Sequence, residues 1–231
     1  MRVVGVDGCR GGWVAVAYDV ETGTLTPHFH TPFQEVLDAY PDAVAIGVDI
    51  PIGLSEREPR ACDLEARKVL RWKRSAVFPA PDPRLLDAAT YEDANARSRA
   101  LTGKGVSLAA FGIFPKVAEV NRLLTSELQH RVVEVHPEVS FWALAGRRPM
   151  THHKSKPEGY EERRMLLAAE LRHSLWTRKD AFSLARPAQP DDLLDATVAA
   201  WTARRVAEGR AGRLPADPAL DARKLRMEIV Y

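Results

Sequence analysis

The sequence predicts an α/β protein: a mixed five-stranded sheet with flanking helices and a helical insertion between its fourth and fifth strands. Three observations predict it. Two apolar runs end in the same Gly-hydrophobic-Asp pattern, Val3-Val4-Gly5-Val6-Asp7 and Ile46-Gly47-Val48-Asp49. The elements up to Asp49 read β-β-β-α-β. Residues 55–130 then read as helical before the next short apolar strand at 131–135.

Residues 2–7, 12–20 and 24–30 alternate as three short strands, joined by turns at Gly8–Gly12 and at Glu21-Thr22-Gly23. That is an antiparallel meander. Thr31-Pro32 opens a short helix to Tyr40, with Thr31 as N-cap and Pro32 at the first helical position. Residues 44–49 form a continuous apolar strand of the kind buried on both faces. In the insertion, residues 60–72 make a basic amphipathic helix, residues 77–83 a proline-rich connector that cannot be helical, and 90–101 and 107–124 further helices. The last of these is interrupted near Gly112 and Pro115. A helix from His136 to Ala145 follows the fifth strand. Then come a polar, basic segment at 146–159, a helix at 160–172, a long helix at 191–208 behind an acidic start, a loop at 209–222 and a closing strand at 225–230.

With 231 residues the chain can bury a full core and reads as a single domain, 1–231, carrying its insertion at 55–130. Apolar content of 45% and a formal charge of +2 are ordinary for a globular protein, so any nucleic-acid surface has to be local. Cys9 and Cys62 have no metal-ligand or disulfide spacing. No apolar run approaches the ~18 residues of a membrane span. The first residues read as a strand instead of a charged-then-apolar leader. The expectation is a cytoplasmic protein with no membrane partner.

The acidic residues carry the functional information. A carboxylate at the end of a buried strand is costly unless paired, and two neighbouring carboxylates repel unless a cation lies between them. Asp7, Asp49 and Glu134 sit at strand ends. Asp192 and Asp195, beside Asp191, lie at i and i+3 on one helix face. Such a set can hold Mg²⁺ or Mn²⁺, in the limit two ions about 4 Å apart for in-line phosphoryl displacement. Capping by Asp191 or Asp192, a turn role for Asp7 and a simple ion pair for Glu134 are the competing readings. His136, between Glu134 and Glu138, is a candidate general base or a helix-starting histidine bound to backbone. Arg10, and the stripe Arg60, Arg67, Arg71, Lys73 and Arg74, are candidate phosphate contacts or a solvated helix face. Trp72 reads as a base-stacking residue or, the stronger reading, as a core-edge aromatic. Lys104 lies in Thr102-Gly103-Lys104-Gly105, which lacks the spacing of a Walker loop and leaves only a phosphate contact from a loop. His152, His153, Lys154 and Lys156 make a basic loop that reads as substrate-side or as plain surface.

The strand order and acidic positions resemble the ribonuclease-H-like fold. More specifically, Gly5-Val6-Asp7-Gly8-Cys9-Arg10-Gly11-Gly12-Trp13, Asp49-Ile50-Pro51-Ile52-Gly53-Leu54, Arg60-Ala61-Cys62-Asp63, Val77-Phe78-Pro79-Ala80-Pro81, Glu134-Val135-His136-Pro137-Glu138 and Asp191-Asp192-Leu193-Leu194-Asp195-Ala196 look like signatures of one family, covering nearly the whole chain. It is the domain-of-unknown-function family four-twenty-nine, described as predicted nucleases of ribonuclease-H-like fold. The acidic pattern is closest to that of Holliday-junction resolvases. That likeness implies Asp7, Asp49, Asp192 and Asp195 as metal ligands, with Glu134 a third-strand ligand or a residue behind the ligands. Where resolvases usually carry Glu on the fourth strand, this chain carries Asp49. The leading expectation is therefore a metal-dependent nuclease acting on DNA, RNA or a hybrid, as a homodimer if its substrate is a symmetric junction. The alternatives are a nucleotide-binding phosphotransferase or hydrolase of actin-like kinase type, and a non-catalytic ligand-binding protein. Against the kinase type, Asp49 is followed by Ile-Pro and not by a second phosphate hairpin.

Overall fold

In a computed structural model, residues 1–56, 59–184 and 186–231 are described. Two residues of the insertion thus lie outside the described set. Strands β1 (Arg2–Cys9), β2 (Gly12–Asp19), β3 (Thr24–His30), β4 (Ala45–Asp49) and β5 (Val132–Glu134) form one sheet in the order β3-β2-β1-β4-β5. The first three pair antiparallel, and β4 runs parallel to both β1 and β5. The expected mixed five-stranded sheet is the one observed.

Period-two alternation explains the two layers that sandwich it. On one face Val3, Cys9, Val14, Val16, Tyr18 and Ala45 pack against α9 (Pro190–Ala207), joined by residues of α6 (Pro137–Leu144), α7 (Pro157–Leu171) and α8 (Arg178–Leu184). On the other face Val4, Val6, Trp13, Ala15, Ile46 and Val48 meet Phe33 and Val36 of α1 (Phe33–Ala39) and Val117, Val120 and Leu124 around α5 (Phe114–Leu123). Since α5 belongs to the insertion, the inserted segment forms part of the main core. Its remaining helices, α2 (Ala61–Leu70), α3 (Tyr91–Thr102) and α4 (Leu108–Gly112), lie between β4 and β5 in the chain.

The Gly-x-Asp pattern has a packing cause. Gly5 and Gly47 are register partners in β1 and β4, and both face α9. A Cβ on Gly5 would stand 2.0 Å from the Ala196 carbonyl oxygen and 2.1 Å from the Ala200 nitrogen. Backbone cannot give way as a side chain can, so the glycines set how closely the helix lies on the sheet. Two residues on, Asp7 and Asp49 emerge on the same face, beneath the helix's first turns. We expect Gly5→Ala to lose about 3 kcal/mol, the upper end for overpacking. Urea unfolding checks this, and a midpoint unchanged from wild type would refute the close packing.

Some expectations are corrected in detail. Thr31 does not cap α1; Pro32 takes that position without a side-chain cap. The basic helix ends at Leu70, and a 3-10 stretch, Arg71–Ala76, continues it. The 107–124 stretch divides into α4 and α5, with Pro115 in the first turn of α5. Helix α7 begins at Pro157, three residues before the expected start, and α8 was not anticipated. The closing strand shrinks to β7 (Ile229–Val230), which pairs antiparallel with β6 (Arg213–Leu214) and meets Val135 through a single bridge. No helix among the described residues is long and apolar enough to cross a membrane.

Candidate active site

Parallel register places Asp7 directly opposite Asp49 at the C-terminal ends of β1 and β4. In α/β sheets this is the end where ligands bind. Helix α9 runs over them with its N-terminus at this end, bringing Asp192 and the buried Asp195 to the same place. A cleft of about 540 Å³ opens here. It is lined by Asp7, Asp49, Asp192 and Asp195 together with Lys73, Lys116, His136 and Lys154, and by Trp72, Phe78 and Ile113.

The electrostatics are those of crowded acids. Burial first, and then the neighbouring Asp49 and Asp195, hold the Asp7 carboxyl well above the usual carboxylate range. Burial likewise raises Asp49, against the pull of His136 and Lys154. Asp195 is raised by burial to about 6 even though Lys154 pulls it down. Burial also raises Asp192. Lys154 answers this charge. Its Nζ donates to Asp195 Oδ2 at 2.5 Å and stands 3.9 Å from Asp191, and Asp195 holds it charged well above the ordinary lysine range. From the far wall Lys116 donates to the Gly12 carbonyl, its Nζ 4.3 Å from the Trp13 ring centroid.

Of the residues singled out from sequence, Asp7, Asp49, Glu134, Asp192, Asp195, His136, Arg60, Trp72, Lys73, His153 and Lys154 all line this cleft. Asp192 also keeps a capping role, since its Oδ2 accepts the Gln189 amide at 2.8 Å and completes a capping box. The competing reading of Asp192 thus holds alongside the functional one. The His136 Nε2 lies 3.3 Å from the Ala76 carbonyl, which can only accept, so this nitrogen carries the proton. The Nδ1 is buried and has no hydrogen-bond partner among the described residues.

Glu134 and Arg60 have a different role. Arg60 is buried, and its guanidinium binds both Glu134 oxygens at 2.7 and 2.8 Å, both Asp63 oxygens, and the carbonyls of Ile52 and Gly53. Glu134 also accepts the Ile52 amide at 2.6 Å, and Asp63 the Ala80 amide at 3.0 Å. Burial leaves the Glu134 carboxyl raised to about 7 against the pull of Arg60. Every nitrogen of Arg60 is used, so it has none left for a phosphate, and Glu134 faces a fixed cation instead of an ion site. The cluster staples β5, the chain leaving β4, α2 and the proline-rich connector to one another.

The other expected phosphate contacts lie elsewhere. Arg67 donates to the Val77 carbonyl at 2.7 Å and does not line the cleft. Arg10, Lys104 and Lys156 are exposed and also outside it. Trp72 is corrected in the opposite sense. It is 62% exposed at the cleft wall and is no core-edge residue. Lys116 was missed altogether. Its only signal was a place beside the apolar stripe Ile113, Val117 and Val120, which reads equally well as a solvated flank.

The donor set for a cation is all oxygen, which suits a hard divalent ion. Among the described residues, no three His, Cys, Asp or Glu side chains are arranged to hold a metal ion. In this arrangement Asp195 is bonded to Lys154 and Asp192 to its cap.

Fold and site together define an α/β protein with a carboxylate-rich cleft at the C-terminal ends of its central parallel strands. The chain belongs to the DUF429 family: that family's model, described as a protein of unknown function, matches residues 5–220. No curated protein and no solved structure matches the chain.

Proposed function

We propose that the chain is a divalent-metal-dependent phosphodiesterase acting on nucleic acid. The observation that carries this reading is the register pairing of the buried Asp7 with the half-buried Asp49, beneath Asp192 and Asp195 of α9. The antiparallel meander followed by parallel β4 and β5 agrees with the ribonuclease-H-like resemblance. Asp7 and Asp49, completed by Asp192 or Asp195, would hold Mg²⁺ or Mn²⁺. The bound ion would acidify a water nucleophile and neutralise charge on the phosphate. His136, which lines the cleft and keeps its Nδ1 without a partner, would serve as the proton acceptor. Lys154 holds Asp195 in place and balances the site's charge. Cys9 and Cys62, both buried and unpaired, accord with a reducing, cytoplasmic setting. A symmetric branched substrate would add the requirement of a homodimer.

Calorimetric titration of Mn²⁺ and Mg²⁺ into wild type and the Asp7→Asn/Asp192→Asn variant is the test. Cleavage of junction, hybrid, duplex and single-stranded substrates is followed on the same samples. We expect binding and cleavage in wild type and neither in the variant. A wild type that binds no divalent ion and cuts nothing overturns the proposal.

A further inference from the structure

Resting on that reading of the site, we infer that the cleft takes a single unpaired nucleotide, its base against Trp72 and Phe78 and its phosphate toward the lysines and carboxylates. The ligand class is a nucleoside phosphate with an unstacked base. It comes either from a single strand or as a free nucleotide.

Large aromatics are normally buried, yet Trp72 is 62% and Phe78 43% exposed, and both line the cleft that holds Asp7 and Asp49. Fixed contacts hold the wall that presents them. Lys73, next to Trp72, donates to the His152 carbonyl at 2.6 Å and lies 3.7 Å from Glu138. His136 meets the Ala76 carbonyl, and Arg67 the Val77 carbonyl, on either side of the chain that joins the two aromatics. Lys73 Nζ stands over the Trp72 ring, 5.2 Å from its centroid, and the opposite face of the indole is the one a base can stack on. Cations share the lining: Lys73, Lys116 and Lys154 each keep one bond within the protein, to the His152 carbonyl, the Gly12 carbonyl and Asp195, and leave their other N–H donors for a phosphate. Aromatic wall, ammonium groups and acids are the three surfaces that base, phosphate and metal require.

Size and form favour one nucleotide over a duplex. At about 540 Å³ the cleft falls in the range, roughly 300–1,000 Å³, that encloses a single small molecule. Arginine and lysine surfaces that grip duplex backbone are broad and open. Of the basic stripe, Arg60 and Arg67 are spent on internal bonds, and only Arg71 and Arg74 stay exposed beside Trp72. A base paired within a duplex cannot reach an aromatic inside such a cleft without leaving its stack.

Fluorescence anisotropy tests this with a labelled single strand roughly a dozen nucleotides long, its duplex, and adenosine monophosphate as competitor. Wild type, Trp72→Ala, Trp72→Phe and Phe78→Ala are compared, with cleavage followed separately. The exposure of Trp72 means its removal leaves the core intact; thermal unfolding confirms this. We expect the single strand to bind at least about tenfold tighter than the duplex. Trp72→Ala should weaken it about 5- to 150-fold, the loss of one base stack, and Trp72→Phe should retain most of the affinity. Competition by the mononucleotide at similar concentration would support the inference and identify a free nucleotide as the source. Equal binding of duplex and single strand, or affinity unchanged in Trp72→Ala and Phe78→Ala, overturns it while leaving metal-dependent cleavage intact. Aromatic-dependent binding without cleavage under any metal supports it and removes the hydrolase reading instead.

Discussion

Asp7→Asn will make the folded chain more stable at neutral pH while abolishing metal-dependent cleavage. Asp7 is buried against Asp49 and Asp195, and burial with those neighbours raises its carboxyl well above the ordinary 3.8. In the unfolded chain it ionises in the ordinary range. The native state therefore binds the proton more tightly than the unfolded state, and stability drains away as pH climbs past the ordinary range toward the raised native value. Asparagine keeps the shape and removes that cost. We expect a gain of about 2 kcal/mol at pH 7, roughly 4–8 °C in Tm. The gain should disappear below about pH 3, where Asp7 is protonated in both states. Cleavage should fall about 10³-fold or more, since a metal's charge stabilisation is worth several kcal/mol. Thermal unfolding at several pH values and cleavage assays measure the two halves separately. A loss of stability at pH 7 would mean that Asp7 is a structural residue held by its neighbours and would take the first support from the active-site reading.

The second large effect is at Arg60. Arg60→Met removes the cation from between Glu134 and Asp63, leaving two buried carboxylates and the carbonyls of Ile52 and Gly53 without their donor. Breaking a buried pair from one side costs about 3–5 kcal/mol. We expect that loss in urea unfolding, with partial recovery in Arg60→Met/Glu134→Gln because one uncompensated charge is then gone. A loss under about 1 kcal/mol would show that the cluster is not the staple described. In metal titrations Glu134→Gln should leave Mn²⁺ binding in place, in contrast with Asp7→Asn.

This cluster also joins segments that lie far apart in the chain. Arg60 and Asp63, Ala80 in the proline-rich connector, Glu134, and Ile52 and Gly53 after Asp49 all meet at one buried ion pair network. Motifs that read together as a catalytic signature therefore divide into two sets. Asp7, Asp49, Asp192, Asp195, His136 and Phe78 line the cleft and are open to a ligand. Arg60, Asp63 and Glu134 border it too but are bonded to one another and tie its walls to the sheet.

The central strands and their acids were legible from sequence because local chemistry decides them. Period-two apolar runs make strands, Gly5 and Gly47 permit the close approach of a helix, and a buried strand-end carboxylate is too costly to be incidental. Helical spacing likewise put Asp192 and Asp195 on one face. Where long side chains end was not legible. Arg60, Arg67 and Lys154 are basic residues of similar appearance in the chain, yet one is locked in the core, one ties down a loop and one lies among the aspartates. Trp72 looked like core and stands at the cleft wall. The sequence by itself determined the strands of the sheet and the acids at their ends, because neighbouring residues fix backbone geometry. Only the tertiary structure decided which cations neutralise which acids, and which aromatics stay open to a ligand. Those pairings join residues tens of positions apart, whose meeting depends on how the insertion folds back over the sheet.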